Sequence, residues 1–173
     1  QNDRSRDGQN QVILRDILIQ AVQDITNVSE EVARGVYHEL LAVSDNEQWT
    51  SILRGNYSST VPGEDTNTTI TIIDLLHPAN NTYTVTNQLY VKSQHPHIPD
   101  VVVYVNGIPL VVIEAKSPLS FKDKTGEAFD QIKQYERDIP RLFYSNAFNI
   151  ITDGVSLLFG ATDASSEFWG AWR

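Results

Sequence analysis

Cysteine is absent from the 173 residues, which excludes disulfides, thiolate zinc sites and a cysteine nucleophile and fits a cytosolic (cytoplasmic) protein. No apolar run approaches the ~20 residues needed to span a bilayer and no secretory leader opens the sequence, so it reads as soluble, with no membrane partner. A glycine-rich phosphate loop ending in Gly-Lys-Ser or Gly-Lys-Thr is also missing, and nothing in these residues supports ATP binding. No Ser/His/Asp constellation with supporting context appears, so acyl chemistry is not indicated. Positive charge is scarce as well, with 13 basic against 22 acidic residues and a net charge of −9. The deficit is uneven: residues 1–91 carry 5 basic and 12 acidic side chains, whereas residues 92–141 carry 7 of each. Lys92, Lys116, Lys122, Lys124, Lys133, Arg137 and Arg141 are the only basic density.

An apolar content of 40% is enough for one sizeable core, so a single domain over 1–173 is expected. Residues 1–60 read as a helical packing segment. Leu14, Ile17, Leu18, Val22 and Ile25 recur at helical spacing between Val12 and Thr26, Ser29 opens a second helix with Val32, Val36 and Leu40 inward, and Ser44-Asp-Asn-Glu47 forms a capping box for a third. Residues 61–173 read as a catalytic sheet and helix. Pro62–Thr68 is a polar loop, Thr69–Leu76 and Tyr83–Lys92 are strands, Thr125 caps a helix that Pro140 stops, and Phe148–Thr152 pairs with Val155–Gly160 through Asp153-Gly154. The sum is an α/β (α+β) fold, a mixed sheet flanked by helices. The terminal Phe168-Trp-Gly-Ala-Trp-Arg173 reads as exposed aromatics ahead of a further domain. Four Asn-X-Ser/Thr matches, at Asn27, Asn56, Asn67 and Asn80, are chance products of a chain rich in these residues.

Chemistry concentrates in one stretch. Val101–Val105 and Leu110–Ile113 are apolar, β-branched runs around Asn106-Gly107, a hairpin signal. Asp100, Glu114 and Lys116 then stand at the hairpin's open end, where uncompensated charge is costly. Strand alternation puts Glu114 and Lys116 on one face, with Ile113 and Ala115 pointing the other way into a core. A two-residue turn would set Asp100 opposite Ile113 on the wrong face, so a three-residue loop or bulge is expected. Two hard oxygen ligands suit Mg2+ or Mn2+, with Lys116 available to the attacking water and to developing phosphate charge. By themselves the three letters are a weak pattern and favour a surface Glu114–Lys116 ion pair with Asp100 in a turn. His95 and His97, in a His-Pro-His run, read as loop residues that touch substrate or solvent sooner than metal.

Read as a block, Ile98–Pro118 (IPDVVVYVNGIPLVVIEAKSP), Ala128–Phe143 (AFDQIKQYERDIPRLF) and Ile151-Thr-Asp-Gly154 resemble the amino-terminal nuclease domain of type I restriction enzyme R subunits. The resemblance spans roughly Ile72 to Gly160 and, more loosely, the helices before it. It implies a PD-(D/E)xK, restriction-endonuclease-like fold that cuts double-stranded DNA with Mg2+, joined to an ATP-driven translocase, with ATP used only in motor domains outside these residues. It further implies methyltransferase and specificity subunits as partners. Residue by residue, Asp100 and Glu114 match the metal-binding acids, with the Ala115 backbone carbonyl as a further metal ligand, and Lys116 matches the catalytic lysine. Gln131 and Tyr135 match the Q-x-x-x-Y motif of RecB-like nucleases, four apart on one helix face. Lys122 and Lys124 are candidates for DNA contact or support of the site. The polar start Gln1–Gly8 resembles the loop after a front helix that carries a site glutamate in this family, and Glu30, Glu31, Glu39 and Asp74 are possible substitutes. The alternatives are a non-catalytic module that docks DNA or a subunit, and a repair or recombination nuclease of the same fold. With a locally neutral motif region, DNA affinity of the domain alone is expected to be weak.

Overall fold

The computed structural model describes residues 5–60, 67–117 and 124–172. It contains four α-helices, a two-stranded sheet and an open mixed sheet of six strands, an α+β fold. Two compact units are formed, Gln1–Thr84 with Tyr104–Ile108, and Val85–Val103 with Pro109–Arg173.

In the first unit α1 (Arg15–Thr26) packs on α2 (Glu30–Ala42), and α3 (Asn46–Leu53) follows. Leu14, Leu18, Val22, Val36, Tyr37 and Leu40 make the core, as their three-and-four spacing requires. Ser29 caps α2 through Val32 N, whereas the cap of α3 is Asp45, accepting from Gln48 N, one residue beyond the expected Ser44. The polar start is anchored: Arg6 is buried, and Asp7 accepts hydrogen bonds from Tyr37 Oη and Arg15 Nη1. Strands β1 (Ser58–Thr60) and β2 (Asn67–Thr69) pair antiparallel. The strand expected over Thr69–Leu76 therefore ends where it was to begin. Ile70, Ile72 and Ile73 are buried without a ladder; the backbone is instead held by Thr26 Oγ1, accepting from Thr71 N, and by Asp74, accepting from Leu76 N and His77 N. Apolar side chains satisfied the core, and side-chain oxygens satisfied the N–H groups.

The six strands run β3 (Tyr83–Asn87), β4 (Val101–Val105), β5 (Ile108–Ala115), β6 (Phe148–Thr152), β7 (Leu157–Gly160) and β8 (Gly170–Ala171), adjacent in that order. β3 is shorter than the Tyr83–Lys92 expected; beyond it Val91 makes only a bridge with His97. Helix α4 (Lys124–Asp138) connects β5 to β6, which pair in parallel, and β6–β7 and β7–β8 pair antiparallel. Thr125 lies inside the first turn of α4, and the helix ends two residues ahead of Pro140. Ala128, Ile132, Tyr135 and Ile139 are buried, so α4 lays one stripe on the sheet beside β6. At the chain end, β8 completes the sheet and Trp169 covers Gly160, where a Cβ would stand 2.4 Å from the indole; Phe168 and Trp172 remain exposed.

Candidate active site

The hairpin closes on two residues, Asn106 (φ 50) and Gly107 (φ 79), both left-handed, the combination a tight hairpin with right-twisted strands selects. The expected three-residue loop is not formed. Asp100 nevertheless reaches its partner strand, because it sits in a bend ahead of β4 and its direction is not fixed by the pleat. Asp100 Oδ2 accepts from Ala115 N at 2.9 Å, while its carbonyl accepts from Gln88 N at 2.7 Å. The acid is thus tied to the strand end that carries Glu114 and Lys116.

In the second half of β5 the buried positions are Val112 and Glu114, with Ile113 half-buried and Ala115 exposed. This reverses the expectation that Ile113 and Ala115 face the core. The reason is α4, which covers the Glu114 face and leaves the carboxylate 2% exposed. Four side chains there form a closed ring of hydrogen bonds. Lys116 Nζ donates to Glu114 Oε1 at 2.8 Å and to Gln131 Oε1. Gln131 Nε2 donates to Tyr135 Oη, and Tyr135 Oη donates to Glu114 Oε2 at 3.3 Å. Residues 131 and 135, one helical turn apart, present an amide and a phenol to the same carboxylate–ammonium pair. Tyr135 is a core residue and a member of the ring at once.

Burial is the largest influence on Glu114 and pushes its pKa above the ordinary 4.5; the Lys116 hydrogen bond opposes this and the nearby Asp100 charge adds to it. Burial likewise raises the Tyr135 phenol, keeping it a neutral donor. Two carboxylates and an adjacent backbone carbonyl offer hard oxygens to a divalent cation. Among the described residues no group of three or more His, Cys, Asp or Glu could hold one.

Of the remaining candidates, Lys122 lies outside the described residues, as does the side chain of Lys124. Glu30 pairs with Arg34, Glu39 accepts from Ser59 Oγ and Tyr57 Oη, and Asp74 is occupied by backbone N–H groups, so each is engaged within the first unit. His95 is exposed, but His97 is half-buried and its Nε2 lies 2.7 Å from Asp138 Oδ2, on the last residue of α4. Sequence reasoning passed over Asp138; its only signal was lying three residues after Tyr135, on the same side of the helix.

The chain is similar to known proteins along most of its length. Residues 1–168 match the family described as type I restriction enzyme R protein N terminus. The chain is 34% identical over 113 residues to the type I restriction enzyme HindI endonuclease subunit of Haemophilus influenzae, covering 64% of this chain and 11% of that protein. It is 27% identical over 184 residues to the putative type I restriction enzyme MjaIXP endonuclease subunit of Methanocaldococcus jannaschii, covering 97% and 17% respectively. The chain therefore spans a small fraction of the length of these relatives. With its match extending through all the elements that build the site, the chain belongs to the type I restriction enzyme R protein N-terminus family.

Proposed function

We propose that the chain is a Mg2+-dependent nuclease domain that hydrolyses phosphodiester bonds of double-stranded DNA, as part of a type I restriction subunit in the cytoplasm. The observation that carries this reading is the buried Glu114 carboxylate, held by Lys116 and Tyr135 beside Asp100. A module that only docked DNA would gain nothing from buried acids that repel phosphate.

Asp100, Glu114 and the Ala115 carbonyl would hold the cation, which when bound supplies positive charge to the scissile phosphate and acidifies a water. Lys116 directs an N–H toward the attacking water and the phosphate oxygens, where negative charge grows in the transition state. Gln131, accepting from Nζ, restricts the lysine's swing, and Tyr135 fixes the rotation of the Glu114 carboxylate. Hydrolysis adds the water oxygen to phosphorus and breaks the bond to the leaving sugar oxygen, which takes up a proton. Sequence choice and ATP use would belong to the specificity and methyltransferase subunits and to a motor elsewhere in the full subunit. Weak basic density in residues 92–141 fits a domain that relies on them for its grip on DNA.

The test uses the full subunit in its assembled complex. Asp100→Ala, Glu114→Ala and Lys116→Ala should each lower cleavage of a plasmid carrying the cognate site by on the order of 10²-fold or more, with ATP turnover retained. Glu47→Gln, on an exposed helix position, should change neither. Undiminished cutting by all three alanine variants would move the chemistry away from these residues.

A further inference from the structure

The His-Pro-His run has no part in the mechanism above, yet its second histidine is fixed on every side. The backbone of His97 is paired in both directions with Val91 (Val91 N to His97 O, 2.9 Å; His97 N to Val91 O, 3.2 Å). Its imidazole Nε2 stands 2.7 Å from Asp138 Oδ2, with both side chains about four-fifths buried. The same ring lies edge-to-face against Tyr135, with centroids 5.0 Å apart. A carboxylate is acceptor-only, so Nε2 carries the proton of this bond. The hydrogen bond from His97 is the largest cause of the lowered pKa of Asp138.

His97 therefore spans two elements that the reaction needs in register. It precedes Asp100 by three residues on one side, and on the other it grips α4 at Tyr135, one turn beyond Gln131, and at Asp138, a further turn on. The geometry points to His97 and Asp138 as a positioning pair, locking the loop that delivers Asp100 to the helix face that delivers Gln131 and Tyr135. The pair touches no reacting atom; it acts by holding the Tyr135 ring against the Glu114 carboxylate while Asp100 is held at Ala115. Small displacements of such groups are amplified in rate. This inference rests on the nuclease reading and adds to it two residues that the catalytic motif does not contain.

The experiment again uses the full subunit in its complex, with rate constants for cleavage separated from DNA half-saturation. His97→Ala should lower the maximal cleavage rate about tenfold, leaving DNA half-saturation and ATP turnover near those of the parent. His97→Gln, whose amide can still donate to Asp138, should recover the rate to within about threefold. Asp138→Ala, which removes the other half of the pair, should match His97→Ala. The double alanine variant should be no slower than either single one, since residues acting as a unit are not additive. His95→Ala, exposed in the same loop, is the control. A His97→Ala rate within twofold of the parent, multiplicative losses in the double variant, or no recovery by glutamine would overturn the inference. Retained cleavage by Glu114→Ala, run in parallel, would instead overturn the nuclease reading on which it rests.

Discussion

A carboxyl group almost wholly withdrawn from water resists ionisation unless partners compensate it, and Glu114 leans on Lys116 and Tyr135 for that compensation. Its folded pKa is raised, so the stability it contributes is present below its ordinary 4.5 and is lost as pH rises through the folded value. Glu114→Gln stays neutral throughout, so its stability advantage over the parent should grow with rising pH and vanish in acid. Urea denaturation at a series of pH values measures this, and a constant offset would refute it. Lys116→Met strands the carboxylate at neutral pH and should cost about 1–3 kcal/mol, most of it recovered in the Glu114→Gln/Lys116→Met double variant. The ring members were named by the family resemblance, with the four-residue spacing of Gln131 and Tyr135 putting them on one helix face. The path of Asp100 was not, since a residue in a bend obeys no pleat. Nor was Asp138, because an acid at a helix end is ordinarily a solvated one.

Among the elements, the hairpin turn carries more than a reversal of direction. Asn106 is fully buried; its Oδ1 accepts from Thr82 N at 2.7 Å, and its Nδ2 donates to Ile72 O and Asn81 Oδ1, each at 2.8 Å. Gly107 accepts from Leu14 N at 2.9 Å, and a Cβ there would fall 2.5 Å from Leu14 O. Asn106→Ala removes three hydrogen bonds, depriving Ile72 O and Thr82 N of this partner while Asn81 Oδ1 keeps Asp74 N, and puts a Cβ-only residue at positive φ, at an expected cost of about 2–4 kcal/mol. Gly107→Ala must shift backbone and should cost about 1–3 kcal/mol. Denaturant midpoints that fall with unchanged slope would bear this out; parental midpoints would show the turn to be dispensable. Asn-Gly announced the hairpin in the sequence, but its latch joins residues 24 to 34 apart, beyond any local pattern. The helices were legible from periodicity, but of the expected caps only Ser29 holds its place, Asp45 serving α3 and Thr125 lying inside α4. The run Ile70–Ile73 misled because burial alone does not distinguish a strand from an irregular segment that fills a core.

Over the whole molecule the surplus of acid is partly structural. Asp74 is lowered chiefly by the His77 backbone N–H, Asp138 by His97 and Asp153 by the Ser156 backbone N–H, each below an ordinary 3.8. Depressed carboxylates contribute stability above their unfolded pKa and lose it as pH falls through the folded value. The chain should therefore lose stability below about pH 4, and Asp74→Asn/Asp153→Asn should lower the melting temperature at neutral pH while flattening its acid dependence. An unchanged acid slope would place the sensitivity elsewhere. The connection through α4 has a further consequence, in time. Parallel strands cannot be joined by a tight turn, and β5 finds β6 only after α4 has been made, with Lys116 N donating to Thr152 O at 2.7 Å. On the ribosome, where chains emerge from their amino end, the hairpin with Asp100 and Glu114 is complete some thirty-five residues before Thr152 is added. A nascent chain thus owns its acids before it owns the strand and helix that discipline them, and the ring of Glu114, Lys116, Gln131 and Tyr135 cannot close until synthesis has passed α4.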